Sequence, residues 1–275
     1  MNISYFPNQT ALQSEPVWKA FLEGCRNHNV IPVENSLTAD YAVIWSVLWH
    51  GRMRLNYDVY THYRKQNKPV FIIEVGALNR GVTWKICLNN ITSQGIYPTL
   101  DNKDPTRHIK LGINLLPVNT NRSDDILIAT QHPFSLQWQG LPSIEQWVQE
   151  TITKIRQYTD RKIVVRPHPR FNIRLPDKSV TFETPTKLPN TYDRYDINFN
   201  YHCVINHCSG PSIQAAIAGT PIICDKTSLA YPVSTAFDQI EPAILSERVD
   251  WFNNICYTEW TLEEITQGIP QSYLL

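Results

Sequence analysis

Two polar clusters in the stretch 161–225 have the residue types that capture an oxyanion. The first, Arg166-Pro-His168-Pro-Arg170, follows the β-branched run 163–165. The second, Ser209-Gly210-Pro211-Ser212, follows the apolar pair 204–205 and opens a small-residue segment closed by Gly219. Another apolar run, 222–224, comes next. Strand, turn, helix and strand at this spacing predict a βαβ unit of a parallel sheet. Such sheets bind ligands beyond the carboxyl ends of their strands, where both clusters fall. Two guanidinium groups, an imidazole and a helix start near 211 together suit a phosphorylated ligand. Arg166 and Arg170 offer bidentate contacts, and His168 a hydrogen bond or a positive charge. The amides of 210–213, with the Ser209 and Ser212 hydroxyls, offer a phosphate cradle. The structural alternatives are a strand-ending turn with surface arginines and a plain N-cap.

Alternating elements are expected to carry these clusters. Residues 3–6, 30–33, 41–45 and 69–73 read as strands; Ser14 N-caps a helix reaching about 27, and 56–66 reads as a second helix. Polar, Pro- and Gly-bearing sequence between 92 and 121 places a boundary at 117–124. The second half opens on strand 126–129 and the turn Thr130-Gln131-His132-Pro133, whose Gln131 faces the same ligand edge. A helix then starts at Ser143, with Gln146 completing a capping box, and a last helix spans 261–268, with Thr261 capping toward Glu264. The expectation is an α/β protein of two Rossmann-like domains, 1–118 and 119–275, facing across a cleft, with the terminal helix packing back on the junction.

Bulk properties narrow the function. A chain of 275 residues, 42% apolar and 18% charged, is globular and long enough for two cores. No run of 18 apolar residues and no leader pattern occurs, so no membrane partner and a cytoplasmic location are expected. Six scattered cysteines read as free thiols in a reducing compartment. Asp124-Asp125 precedes a strand and reads as a turn, and no Asp-x-Asp pair ends one. No metal and no other cofactor is expected. From 50 to 110, ten Lys/Arg face four acids, a surplus of six in a chain of zero net charge. Such a segment is a polyanion surface or a solvated face.

For transfer to a hydroxyl with inversion, a carboxylate or histidine must take the proton. Glu74, at the end of its strand, is the first candidate base, unless it pairs with Arg80. His50 is the second, and Asp101 and Asp104 follow. A retaining reaction needs none of them. Trp45, Trp49 and Trp84 stand among the basic residues as stacking platforms or as core.

The motif RPHPR, the segment SGPSIQAAIAGTPIICD and the tail IEPAILSERVDWFNNICYTEWTLEEITQG resemble the nucleotide-binding domain of GT-B glycosyltransferases, the sugar transferases built from two Rossmann domains. With EVGALNRGVTWKICLNNI, LGINLLP and DDILIATQ, the region 70–275 resembles a group of phage-encoded glycosyltransferases. The resemblance implies a nucleotide-sugar donor, UDP-linked as in UDP-glucose, with its charge met by fixed protein donors. Gln131, at the end of its strand with its turn on the same edge, is an expected donor contact. Many members carry a Glu where this chain has Gln214, so the ribose carboxylate is expected from Glu241, or the ribose is held by neutral groups. The implied acceptor is a hydroxymethylated pyrimidine such as 5-hydroxymethylcytosine in double-stranded phage DNA, flipped into the cleft. The host cytoplasm would be its setting. Rival expectations are a surface-glycan transferase, a sugar-nucleotide epimerase and a non-catalytic nucleotide- or DNA-binding module.

Overall fold

The computed structural model describes residues 1–11, 14–98, 103–191 and 194–275, apart from the side chains of Gln9 and Arg52. Asp101 lies outside the described residues. The chain begins with β1 (Asn2–Tyr5), α1 (Glu15–Asn27), β2 (Ile31–Glu34), β3 (Tyr41–Trp45), α2 (Leu55–Lys65), β4 (Val70–Val75), β5 (Thr83–Leu88) and α3 (Arg107–Lys110). There follow β6 (Ile126–Ala129), α4 (Ile144–Ile155), β7 (Ile163–Arg166), β8 (Thr181–Phe182), β9 (Thr186–Lys187) and β10 (Tyr195–Asp196). The rest comprises β11 (Cys203–Ile205), α5 (Gly210–Ile217), β12 (Ile222–Ile223), α6 (Val249–Ile255), β13 (Glu259–Thr261), α7 (Leu262–Gln267) and α8 (Ile269–Leu274). These form two compact α/β units, one of residues 1–112, 134–137 and 253–275, the other of 113–133 and 138–252. Residues 253–275, grouped with the second domain when the sequence was read alone, thus fold into the first unit.

The first unit is built on a six-stranded sheet in the order β13-β5-β4-β3-β1-β2. Strands β1 to β4 run parallel, and β5 and β13 add an antiparallel edge. One sheet face, with Phe71, Ile73 and Ile86, packs under Phe21 of α1 and Ile265 of α7. The other, with Ile72 and Cys87, packs with Val59 and Tyr63 of α2. Helices α1 and α7 touch so closely that a Cβ on Gly24 would stand 2.3 Å from the Ile265 carbonyl oxygen, which is why glycine occupies that turn. Ser14 does not cap α1 as expected: its hydroxyl donates to the Ala11 carbonyl at 2.7 Å. At Thr261 the full capping box with Glu264 forms.

A buried ion pair ties the terminal segment into this unit. Arg107 of α3, 7% exposed, donates two hydrogen bonds to the Glu264 carboxylate, itself 2% exposed. The same guanidinium donates to the carbonyls of Cys256 (2.9 Å) and Glu259 (2.9 Å) and lies 4.3 Å from the Trp260 ring centre. Burial raises the Glu264 carboxyl, but the Arg107 hydrogen bonds, the Thr261 amide and the Arg107 and Lys110 charges together outweigh it and hold it below the usual range.

In the second unit five strands, all parallel, run in the order β12-β11-β6-β7-β8. Helix α4 links β6 to β7 on one side and α5 links β11 to β12 on the other, so the winding reverses between β6 and β11. Ser143 caps α4 by accepting from Gln146 N, but the Gln146 side chain turns to Glu150 (2.9 Å), so half of the expected box forms. Gly219 ends α5 at φ +85°, a conformation glycine adopts without strain, and a Cβ there would stand 2.0 Å from the Pro117 carbonyl oxygen.

Burial pushes the thiols of Cys25, Cys87, Cys203 and Cys256 up to about 12, and no disulfide forms among the described residues. These four are expected to resist iodoacetamide at pH 8 in the native protein and to react fully in denaturant, as mass spectrometry of the labelled peptides would show. Among the described residues no helix is long and apolar enough to cross a membrane.

Candidate functional site

The reversal between β6 and β11 opens the second sheet at its carboxyl edge, the position at which doubly wound sheets take ligands. Three neighbouring strands end there, and each hands its chain to a polar loop. After β6 come Thr130, Gln131 and His132; after β7, His168 and Arg170; after β11, Asn206, His207 and the start of α5. The expected grouping of Gln131, His168 and Ser209–Ser212 at one strand edge is present.

Hydrogen bonds make these loops one piece. Thr130 Oγ1 accepts from His168 N at 2.9 Å, and Gln131 Oε1 accepts from Cys208 N at 3.2 Å. Asn206, 1% exposed, is the hub. Its Nδ2 donates to the Ala129 carbonyl (2.8 Å) and to Ser209 Oγ (3.0 Å), and its Oδ1 accepts from Ser209 N (2.8 Å). Gln131, 3% exposed, therefore braces the β11–α5 turn from its buried side. The Asn-x-x-Ser spacing of 206–209 was the available sequence signal for this local side-chain-to-backbone bond.

Three imidazoles gather around the loops. The rings of His132 and His168 meet edge to face at 5.2 Å, and His168 Nδ1 accepts from Arg170 N at 3.1 Å. His207 packs its ring 5.1 Å from Trp138. Burial, and then the Arg170 charge, lowers His132. His207 is lowered by burial against the opposing pull of Asp225. Imidazole rings and amides placed in this way can donate to, or accept from, a ligand.

Several residues named from sequence serve otherwise. Arg166 is 4% exposed, and its guanidinium is engaged beside the end of β8. It bonds the Glu183 carboxylate (3.1 and 2.8 Å) and the Asn198 carbonyl (2.8 Å) and lies over the rings of Phe199 and Tyr201. Its charge is met inside the protein, which leaves the exposed Arg170 as the guanidinium of the motif on the surface. Ser212 is fully buried and donates to the Ser209 carbonyl (2.9 Å), so its hydroxyl belongs to the helix start. Pro211 has no N–H, and Ser209 N and Oγ both bond Asn206. The amides of Gly210 and Ser212, in the first turn, remain as donors. Glu241 pairs with Arg161 (2.5 Å), which also reaches Asp124 (2.7 Å). Arg161 and Asp124 precede β7 and β6, so Glu241 sits at the amino ends of the strands, opposite the loop cluster, and cannot serve a ribose there. Asp225, after β12, is the carboxylate beside the cluster: its backbone N donates to the His207 carbonyl (2.9 Å).

In the first unit Glu74 is half-buried on β4, its Oε1 accepting from Val75 N at 3.1 Å. His50 is exposed and stacks on Phe134 at 4.7 Å. Asp104 caps Thr106, accepting from its N at 2.8 Å. Trp45 and Trp84, 2% and 8% exposed, are core. Among the described residues no group of three His, Cys, Asp or Glu is placed to hold a metal ion.

No family model matches the sequence, and no curated protein matches it. Among solved structures the chain is similar to two from Thermosulfurimonas dismutans KpsC. The one described as a beta Kdo 2,4 transferase shares 11% identity, with 94% of this chain and 98% of that chain covered and a TM-score of 0.49. The one described as a beta Kdo 2,7 transferase shares 13%, with 99% and 100% covered and a TM-score of 0.48. Methanocaldococcus jannaschii UDP-GlcNAc 2-epimerase, in complex with UDP-GlcNAc and UDP, shares 10%, with all of each chain covered and a TM-score of 0.38.

Proposed function

We propose that the chain is a GT-B-type glycosyltransferase whose second unit holds a nucleotide-activated sugar at the loops after β6, β7 and β11. The observation that carries this reading is the reversal of strand order between β6 and β11, with Gln131, Asn206 and the start of α5 cross-braced at its mouth. As the sugar–phosphate bond breaks, negative charge grows on the departing diphosphate. His168, Arg170 and the first amides of α5 are the groups proposed to meet it, without a metal. The resemblance in sequence supports UDP as the carrier. If stereochemistry inverts, Glu74 or His50 removes the acceptor's proton.

A hydroxymethylated pyrimidine in DNA is not favoured as the acceptor. At least six of the ten cations behind the basic surplus are engaged within the fold or buried, Arg64 by donating to the Lys68 carbonyl (3.1 Å). Arg107 and Lys110 meet Glu264. Lys68 donates to the carbonyls of Thr38 and Ala39, Lys103 donates to Asn254, and Lys85 is 7% exposed.

A thermal-shift panel of UDP, GDP, CMP and dTDP sugars tests the reading. At a hundredfold excess over Kd the true donor stabilises by about 2.7 kcal/mol. His168→Ala is expected to weaken that donor by about tenfold, or ~1.4 kcal/mol. If no nucleotide sugar raises the melting temperature, the proposal fails.

A further inference from the structure

A buried indole ordinarily gives its N–H to an acceptor, because tryptophan carries one polar group on a large apolar ring. Trp138 and Trp251, 3% and 7% exposed, do so, donating to the carbonyls of Pro142 (2.7 Å) and Leu229 (2.9 Å). Trp18 of α1 is 6% exposed, yet its buried Nε1 has no hydrogen-bond partner among the described residues. A buried polar group left unmatched marks a place where another molecule completes the bonding. Trp260 Nε1 is unmatched too, but the Arg107 guanidinium lies over its ring. Trp18 instead borders a cavity.

The cavity, of about 280 Å³, lies within the first unit between the carboxyl end of β1 and the first turns of α1. Ser14, Trp18 and Leu22 recur every four positions, so they line it from one face of the helix. Tyr5, the last residue of β1, supplies a second aromatic wall, its ring 6.4 Å from that of Trp18 and inclined to it at 47°. The hydroxyls of the lining have their hydrogens engaged. Tyr5 donates to Glu34 (3.0 Å), Thr10 to the Pro7 carbonyl (3.1 Å) and Ser14 to the Ala11 carbonyl (2.7 Å). Lys19 and Glu15, each 76% exposed and paired at 2.6 Å, cancel one another's charge at the rim.

These features select a ligand. Aromatic walls favour a flat ring, and a lining without net charge favours a neutral one. A cavity of roughly 150 Å³ already holds benzene, so this one takes a single ring with a substituent. That substituent must be an acceptor, since an indole N–H only donates. A sugar fits poorly, because its many hydroxyls would face apolar walls unmatched.

We propose that the first unit binds a neutral, single-ring aromatic compound bearing a carbonyl group, its ring against Tyr5 and Trp18 and its carbonyl oxygen accepting from Trp18 Nε1. The site is built from the first unit alone and does not rest on the transfer reading above.

Titration of the full chain, labelled with ¹⁵N-tryptophan, tests it through the eight indole N–H signals. Acetophenone is the probe, ethylbenzene the same shape without the acceptor, and methyl β-glucoside the polyhydroxylated rival. Acetophenone is expected to bind saturably and to move the Trp18 signal, identified by its loss in Trp18→Phe. Ethylbenzene should bind about tenfold more weakly, and the glucoside not at all. Trp18→Phe keeps an aromatic wall but removes the N–H, so acetophenone should weaken by about tenfold, to the level of ethylbenzene. Should that variant fail to fold, one indole signal of the unaltered protein must still follow acetophenone and not ethylbenzene. The site is refuted if acetophenone does not bind, if ethylbenzene or the glucoside binds as tightly, or if Trp18→Phe keeps full affinity.

Discussion

Arg107→Met is expected to destabilise the first unit by about 3–5 kcal/mol, because it leaves the Glu264 carboxylate buried without its cation. The guanidinium also serves the carbonyls of Cys256 and Glu259, so the loss extends along the terminal segment. Replacing both partners with apolar residues, Arg107→Met with Glu264→Leu, should restore much of the difference, since no uncompensated charge then remains. Urea unfolding of the three variants, with midpoints compared at constant slope, separates these outcomes. A Glu264→Leu addition that deepens the loss would contradict the account. The pH dependence follows from the same pair. The Glu264 carboxyl is depressed in the folded state, so its contribution is fully present above the unfolded carboxylate value near 4.3 and is lost as pH falls through the folded one. Acid should therefore cost the native protein more stability than it costs the doubly apolar variant.

The second large effect is expected at Asn206. Asn206→Ala removes the amide that joins the Ala129 carbonyl to Ser209, orphaning buried groups at about 1–3 kcal/mol each. Because that amide also sets the start of α5, donor binding should fall by about tenfold or more, beyond what the lost stability explains. Asn206→Asp keeps the acceptor for Ser209 N but turns a donor into an oxygen facing the Ala129 carbonyl, so it should be no better than alanine for binding. Titration of each variant with the nucleotide sugar found in the panel decides this. Wild-type affinity in Asn206→Asp would remove Asn206 from the site's framework.

Much of the architecture was legible because it is written locally. Apart from the exposed pair β8, the parallel strands are short, largely apolar runs ended by a turn, and α1, α4 and α7 carry their polar or proline starts in plain order. Strand β5 was missed, although all six of its residues are buried, because Lys85 interrupts its apolar pattern. Strand β13 has three residues, too few for any periodicity to register, and its partner lies more than 170 positions earlier. At the candidate site the local signal misled in one instructive way. Arg166 sits in a motif that looks built for phosphate, yet its partner Glu183 comes from irregular sequence with no pattern of its own. Glu241 shows the converse, since nothing near it in sequence reveals that Arg161 and Asp124 hold it at the wrong end of the strands. Strand order, which decides what stands beside what, is settled by pairings between distant residues.

The late return of β13 to the first sheet has a consequence for synthesis. A nascent chain that has emerged only as far as Phe252 has made every other strand of that sheet, yet β5 still presents a bare row of amides and carbonyls. Arg107 lacks its carboxylate and α1 its helical neighbour until the same last residues appear. The amino-terminal unit must therefore wait for the carboxyl-terminal tail, and stalled or clipped chains should be the ones that associate edge to edge.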